Sequence, residues 1–485
     1  MKFLLLSDLG MKPTKMGYML NNNRSSGVLE VIECALNLGI ESTNIDYWRK
    51  WDKNLLKSSI LSWLNDESEP WIGLSGSIDG SSTEEFKELV HELKKDIPQL
   101  KVLLGGYRVP VGDTEWVDMA FIGRSINIFK DWLQGKDISK YRFSDSPPTY
   151  KNHYTIGEMI LQDPVSPCIK EEDFFSPRET HTIELALGCK FNCSFCGYDF
   201  RNNKNPVIVQ EEKVYNAIKT SYEKYGIKNF YLADDTINEV DDKLELLIRV
   251  VKQLDFEPEF MSFVRADVMA GRPHQIDLLQ EAKIKNMYFG IESLNPEVAK
   301  MVRKGGNPGN VLNGLKTLKE NYPEAVTFGS FIAGLSNDSE EQIRTNIQKV
   351  IDGQLLTGAS YTPLRLYTNL ENTDVMSDID KNPKKFGYKV LDTEMDWPEL
   401  GYSSHGWEND WTNDTHAEEL ANELNEYITQ HLKIPLNTFE IFAMKAMLPD
   451  MEISAYKNML QLHNNGTLKV IKQYIAKKSN WLVSN

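Results

Sequence analysis

The sequence predicts an α/β protein in three parts: an N-terminal doubly wound, flavodoxin- or Rossmann-like parallel sheet, a second series of six β/α units, and a mainly helical C-terminal segment. Three observations predict it. Apolar runs of strand length alternate with amphipathic helical stretches through the first part, the alternation resumes at Thr182 after a Pro- and Ser-rich interruption, and it stops beyond about Asp392. The expected domains are residues 1–137, a linker or wrapping segment at 138–179, residues 180–391, and residues 392–485. A chain of 485 residues has room for two or three domains.

The first series has strand-like runs at Lys2 to Ser7, Ser42 to Tyr47, Trp71 to Ser77, Lys101 to Leu104 and Asp118 to Ile122. Between them, Val28, Ile32, Ala35 and Leu36 fall on one helical face, as do Phe86, Leu89, Val90 and Leu93. Such alternation implies parallel strands, and ligands of such sheets lie beyond the carboxyl ends. Turn residues gather there: Ser75, Gly76 and Ser77, then Gly105 and Gly106, then Gly123. Ser-Pro-Pro, Asp-Pro and Ser-Pro pairs mark the linker.

The second series has strand candidates at Thr182 to Leu187, Asn229 to Ala233, Glu259 to Val264, Asn286 to Glu292, Ala325 to Ala333 and Ser360 to Leu366. Six units suit an open partial (β/α)6 barrel better than a closed barrel of eight. After Asp392 the chain turns acidic and helix-like, with Trp397, Trp407 and Trp411 set among turn residues. Those tryptophans read first as packing over the open side of the barrel, and second as a substrate surface.

The run Leu187-Gly188-Cys189-Lys190-Phe191-Asn192-Cys193-Ser194-Phe195-Cys196 follows the first strand of the second series. Its Cys-x3-Cys-x2-Cys spacing supplies three thiolates, where a four-iron cubane has four metal corners. One iron is left open to chelate a cofactor or substrate. Zinc also takes thiolates, but a structural zinc wants four closed ligands, and only Cys168 or a histidine such as His181 could complete the set. Cysteines this close, in a chain whose apolar start meets Asp8 too soon for a signal or membrane span, argue for metal over a disulfide.

With aromatic Phe195 before its last cysteine, the triplet resembles the motif of radical S-adenosylmethionine (SAM) enzymes. The resemblance implies that the methionine end of SAM binds the open iron of a [4Fe-4S] cluster held by Cys189, Cys193 and Cys196, and that reductive cleavage gives a 5′-deoxyadenosyl radical. It extends over about Glu179 to Leu366. Asp234 or Asp235, after the second strand, then falls near the methionine ammonium. Arg265 suits the methionine carboxylate, with an ion pair to Asp267 as its plainer role. Gly290, Glu292 and Ser293 match a Gly-x-Glu-Ser stretch that contacts the cofactor.

The first part resembles the cobalamin-binding domain that precedes the barrel in one class of these enzymes, on Ile72-Gly73-Leu74-Ser75, Val102-Leu103-Leu104-Gly105-Gly106, and Asp118 with Phe121-Ile122-Gly123. Ser75, Ser77, Gly105, Gly106 and Gly123 become cobalamin contacts on this reading. Two departures stand: no Asp-x-His-x-x-Gly stretch supplies a cobalt ligand, and Gly123-Arg124-Ser125 replaces an acidic run.

The expected function is therefore a cobalamin-dependent C-methyltransferase of the radical SAM class. The alternatives are a radical SAM enzyme without cobalamin and a noncatalytic zinc or electron-transfer protein. The substrate is a small molecule or peptide, and a flavodoxin or ferredoxin would supply the electron. The net charge of −16 gives no nucleic-acid or membrane signal, and a reducing cytoplasm suits five cysteines. Eight histidines without metal spacing, and no phosphate loop or Gly-x-Ser-x-Gly, leave hydrolase and nucleotide-triphosphatase readings without support.

Overall fold

The computed structural model describes residues 1–14, 17–65, 67–76, 82–106, 115–122, 125–141, 153–155, 167–196, 206–305, 307–367, 377–397, 402–432, 434, 436–450 and 459–485. Two six-stranded parallel sheets organise it. The first runs, edge to edge, Glu41–Asp46, Lys2–Ser7, Pro70–Gly76, Lys101–Gly106, Met119–Ile122, His153–Thr155. Strand Lys2–Ser7, next to one edge, shows why both faces need helices: Phe3 and Leu5 turn one way, Leu4 and Leu6 the other, and all four are buried. Phe3 and Leu5 pack with Val28 and Ile32 of helix Ser26–Asn37, while Leu4 and Leu6 pack with Phe86 and Val90 of helix Ser82–Lys94. Each such side chain contributes about 1.5–3 kcal/mol of burial.

Two features of this half were not legible. Strand His153–Thr155 joins the sheet from within the expected linker. The C-terminal helix Met459–Ser484 returns to the same core, placing Ile471, Tyr474 and Leu482 among its buried residues and Trp481 against Trp63 at 4.9 Å. The first core is thus built from both ends of the chain.

The second sheet runs in strict sequence order, His181–Ile183, Asn229–Leu232, Glu259–Arg265, Ile284–Glu292, Val326–Ala333, Gly358–Pro363, all parallel and with helices between. This is the open six-unit barrel. Its outward residues, such as Phe230, Leu232, Phe260, Val264 and Phe289, form the largest core. Its inward residues stack in rows. Phe263, Tyr288 and Phe328 share one register row, and Phe439 of helix Thr438–Met447 lies 5.1 and 5.4 Å from the first two rings, closing the lumen with an aromatic floor. Toward the carboxyl ends, the next row is Arg265, Gly290, Ser330 and Ser360. Small residues there leave room.

The last barrel strand has an open edge, and Asn425 covers it by accepting from the Tyr361 amide at 2.8 Å and donating to the Tyr361 carbonyl at 2.8 Å. The region after residue 391 is not uniformly helical. An antiparallel ribbon, Lys389–Trp397 with Tyr402–Glu408, precedes the helices. Trp407 is buried with its Nε1 on the Leu364 carbonyl at 3.1 Å, and Trp411 donates to the Leu335 carbonyl at 2.9 Å. Both pack on the barrel; the Trp397 side chain lies outside the described residues. No helix among the described residues is long and apolar enough to cross a membrane.

Candidate active site

The first barrel strand breaks after Ile183 because the carboxylate of Asp234 draws its chain inward, accepting from the Leu185 and Ala186 amides at 2.8 and 2.9 Å. Past the break, Ala186–Leu187 pairs antiparallel with Val207–Ile208, and Gly188 takes φ +105°, a conformation that favours glycine. The cysteine loop starts there. Its backbone is fixed by groups other than the thiols. Glu239 accepts from the Lys190 amide at 2.9 Å, Ser194 donates its hydroxyl to the Met301 carbonyl at 3.0 Å, and its amide reaches the Val302 carbonyl at 3.1 Å. Phe195 packs against the core of Val298, Val302, Leu335 and Ile379.

Cys189, Cys193 and Cys196 are half-buried, free thiols on this one loop. Among the described residues no three metal-ligating side chains converge as they would on a single ion. A cubane does not ask for that, since each thiolate takes its own iron. The donor set otherwise fits a cluster: three thiols, a fixed backbone, and the Arg265 Nη1 donating to the Cys193 Sγ at 3.1 Å. Burial pushes the Cys189 thiol up, with Glu239 and Asp235 adding to it and the Phe191 amide and Thr236 hydroxyl opposing it. Bound iron would offset that cost, because its charge favours the thiolate.

The two candidates for a zinc fourth ligand sit elsewhere. His181 is in the outer core, with Nδ1 2.7 Å from the Ser221 Oγ and its ring between Phe175 and Phe230. Cys168 is half-buried beside Glu33 and Thr220, and burial raises its pKa.

Asp234 holds the site together from behind. Besides the two amides, it meets Lys243 Nζ at 3.3 Å, and Lys243 also meets Glu239 Oε1 at 2.6 Å and the Thr236 carbonyl at 2.9 Å. All three charged side chains are fully buried. Burial raises the Asp234 pKa to about 6, against the pull of Lys243. For Lys243, burial pushes down, but Asp234 and Glu239 outweigh it and hold it charged. The oxygens of Asp234 are taken by these groups, and the charge of Asp235 lies near enough to Cys189 to help raise its pKa.

Arg265 ends the third strand. Its fork grips Asp267, Nε to Oδ1 at 3.0 Å and Nη2 to Oδ2 at 2.6 Å, and its guanidinium lies 3.8 Å over the Phe191 ring. The bidentate grip expected for a methionine carboxylate goes to Asp267, leaving Nη1 with Cys193. Asn238 fixes the arginine backbone from both sides, accepting its amide at 2.8 Å and donating to its carbonyl at 3.1 Å.

The fourth strand shifts register between Gly290 and Glu292, and Glu292 takes φ +64°, a strained value for a side-chain-bearing residue. That bend turns its carboxylate back over Gly290, where Lys304 pairs with Oε1 at 3.2 Å and donates to the Gly290 carbonyl at 2.6 Å. A Cβ on Gly290 would sit 2.7 Å from Glu292 Oε1, so glycine keeps this cradle open. Beside it is a small cleft lined by Asp267, Gly290, Ser293 and Lys304. Ser293 donates to Asp338 Oδ2 at 2.9 Å.

On the first sheet, Ser75, Gly105 and Gly106 lie at carboxyl strand ends in paired register, Ser75 beside Gly105. Among the described residues an added Cβ on Gly105 would meet only the Phe121 carbonyl, at 3.9 Å, and Gly106 takes φ +117°. That rim fits a broad flat ligand. Ser77 and Gly123 lie outside the described residues. Sequence reasoning missed Glu239 and Lys243, and gave no role to Asn238 or Lys304. A Lys four residues after a Glu, early in a helix whose strand ends in Asp, was the available signal for Lys243 and Glu239.

Comparison with known proteins decides the barrel. Residues 183–350 match the radical SAM superfamily model. The match falls on the barrel and covers about a third of the chain. Sequence relatives include an uncharacterized methyltransferase of Pyrococcus horikoshii, 26% identical over 34% of this chain and 35% of its own, and hopanoid C-2 methylase of Rhodopseudomonas palustris, 26% identical over 33% and 31%. The chain thus spans about a third of the length of these curated relatives. The whole chain also shares its fold with TsrM from Kitasatospora setae, a radical SAM methyltransferase solved with cobalamin and a [4Fe-4S] cluster, at TM-score 0.60 and 11% identity over 98% of this chain and 100% of that one. It is similar to OxsB, a cobalamin-dependent radical enzyme solved with aqua-cobalamin and SAM, at TM-score 0.60 and 12% identity over 100% and 79%.

Proposed function

We propose that this chain is a cobalamin-dependent radical SAM methyltransferase acting on an unactivated carbon of a small molecule. One observation carries the reading: a parallel sheet with glycines at its carboxyl strand ends precedes a six-unit barrel whose first strand delivers a fixed three-cysteine loop. Bound at these places, the cluster and SAM supply a 5′-deoxyadenosyl radical and the corrinoid carries the methyl group.

The chain's own residues do the rest. Cys189, Cys193 and Cys196 hold three irons, and Arg265 sets a cation beside the Cys193 sulfur. Asp235, the open side of Gly290, Glu292 with Lys304, and Ser293 receive the polar end of SAM. Phe195 and the floor of Phe263, Tyr288 and Phe439 keep water from the reacting space below. Ser75, Gly105 and Gly106 let the corrinoid face approach the sheet. A flavodoxin or ferredoxin in a reducing cytoplasm supplies the electron.

The test is anaerobic reconstitution with iron and sulfide, then hydroxocobalamin, SAM and a titanium(III) reductant. Retained cobalamin with both 5′-deoxyadenosine and S-adenosylhomocysteine supports the proposal. Deoxyadenosine without cobalamin retention sinks the methyl-carrier part, and a zinc-loaded protein that leaves SAM intact sinks it all.

A further inference from the structure

Arg24 lies outside both candidate cofactor sites, yet it is a fully buried charge. It follows Asn23, which bridges to Thr180 just ahead of the first barrel strand. All five guanidinium N–H groups find acceptors. Nε and Nη2 fork onto the Glu179 carboxylate at 2.8 and 2.9 Å, Nη1 reaches Asp46 Oδ2 at 3.2 Å and the Asp173 carbonyl, and Nη2 reaches the Phe174 carbonyl at 3.1 Å. Phe175 and Tyr474 cover it at 4.0 and 4.5 Å.

These partners come from four places. Asp46 ends the edge strand of the first sheet, Asp173 and Phe174 lie in the linker, Glu179 opens the barrel ten residues before Cys189, and Tyr474 belongs to the C-terminal helix. The neighbours repeat the pattern. Tyr47 donates to Glu179 at 2.6 Å, the Asp46 amide donates to Tyr474 Oη at 2.8 Å, and Lys478 donates to Thr43 Oγ1 at 2.7 Å and the Glu172 carbonyl at 3.0 Å. Burying this much charge is a poor route to stability, because the desolvation cost consumes most of the attraction. It does impose one geometry: a planar fork with five matched acceptors tolerates little rotation between the parts that supply them.

We propose that Arg24 is a positioning residue that fixes the first sheet relative to the radical SAM barrel, and that this fixed spacing governs transfer between the two. The proposal rests on the reading above, in which the sheet carries the corrinoid and the barrel carries SAM. In the transfer, the sulfonium S–CH3 bond breaks with its electron pair left on sulfur, giving S-adenosylhomocysteine. The new bond uses the electron pair of the doubly reduced corrinoid, which the titanium(III) reductant supplies. SAM cleavage at the cluster involves the barrel alone and takes one electron from the same reductant.

The experiment uses the full chain with Arg24→Gln and Arg24→Lys. Lysine has three donors at a point and cannot replace the fork. In holoenzyme with hydroxocobalamin, SAM and titanium(III), S-adenosylhomocysteine formation should fall about tenfold while 5′-deoxyadenosine stays within about twofold, the scale expected of a misplaced reacting pair. In cofactor-free protein, calorimetry should resolve two unfolding transitions where the wild type shows one. Should Arg24→Gln not fold, Tyr47→Phe, which removes only one hydroxyl from Glu179, is judged on the same readouts. Both products falling in parallel, both unchanged, or a single transition in every variant would overturn the proposal. If the wild type retains no hydroxocobalamin, the functional reading fails by itself and calorimetry alone decides the role of Arg24.

Discussion

Lys243 is the one cation that the described residues pair with the carboxylates of Asp234 and Glu239, and its removal is the sharpest test of how the cysteine loop is held. Lys243→Met keeps most of the side chain's length and leaves two fully buried carboxylates without their shared cation. Breaking one partner of such a cluster costs about 3–5 kcal/mol, because the stranded charge keeps its desolvation penalty. The sign with pH follows from Asp234. Its folded pKa is already raised to about 6 by burial, and losing Lys243 raises it further. A carboxyl with a raised folded pKa favours the folded state at low pH, and that benefit is lost as pH climbs through the folded pKa. The deficit of the variant should therefore be smallest near about pH 5 and widest above about pH 7. Urea unfolding of apo protein at both pH values measures it. Asp234→Asn in the Lys243→Met background should recover part of the loss. A Lys243→Met deficit below about 1 kcal/mol at neutral pH, or one that widens on acidification, refutes this account.

His181 gives the opposite slope. Burial holds its pKa near 4 instead of 6.5, so the unfolded chain takes up a proton that the folded chain refuses, and about 3 kcal/mol is lost as pH falls across that window. His181→Phe should flatten this part of the acid-unfolding curve, and an unchanged curve argues against the assignment. Gly290→Ala puts a methyl 2.7 Å from Glu292 Oε1 and 3.1 Å from Lys304 Nζ, so the KM for SAM should rise roughly tenfold with iron content unchanged. A wild-type KM in that variant would remove Gly290 from the cofactor site. Alanine at Cys189, Cys193 or Cys196 should each abolish both bound iron and deoxyadenosine formation, while alanine at Cys168 should leave both intact; iron retained in any of the first three contradicts the ligand set.

What could be read from the sequence was whatever periodicity and local spacing encode. Strand Lys2 to Ser7 was readable because both faces of the sheet are covered, giving a continuous apolar run, and the cysteine loop because three ligands lie within eight residues. Arg265 and Glu292 were placed correctly at strand ends. Asp267 lies two residues from Arg265 and was legible as its plainer partner. Lys304 lies twelve residues beyond Glu292, across a helix and a turn, and no periodicity points to it.

The larger omission was long-range. Tyr474 and Lys478 sit more than four hundred residues from Asp46 and Thr43, and the helix that carries them shows no feature that marks its destination. Closing the first core with the last helix has a physical consequence. A sheet joined to a barrel by one linker can swing, since a covalent tether limits distance and leaves orientation free. A sheet whose core also holds the end of the chain is tied on both sides of the barrel, and the remaining freedom is rotation about that closed connection. The Arg24 fork sits where such rotation would have to shear Asp46 past Glu179. Sequence shows two ligand-bearing units in order; the buried charge between them is what makes their separation a fixed quantity.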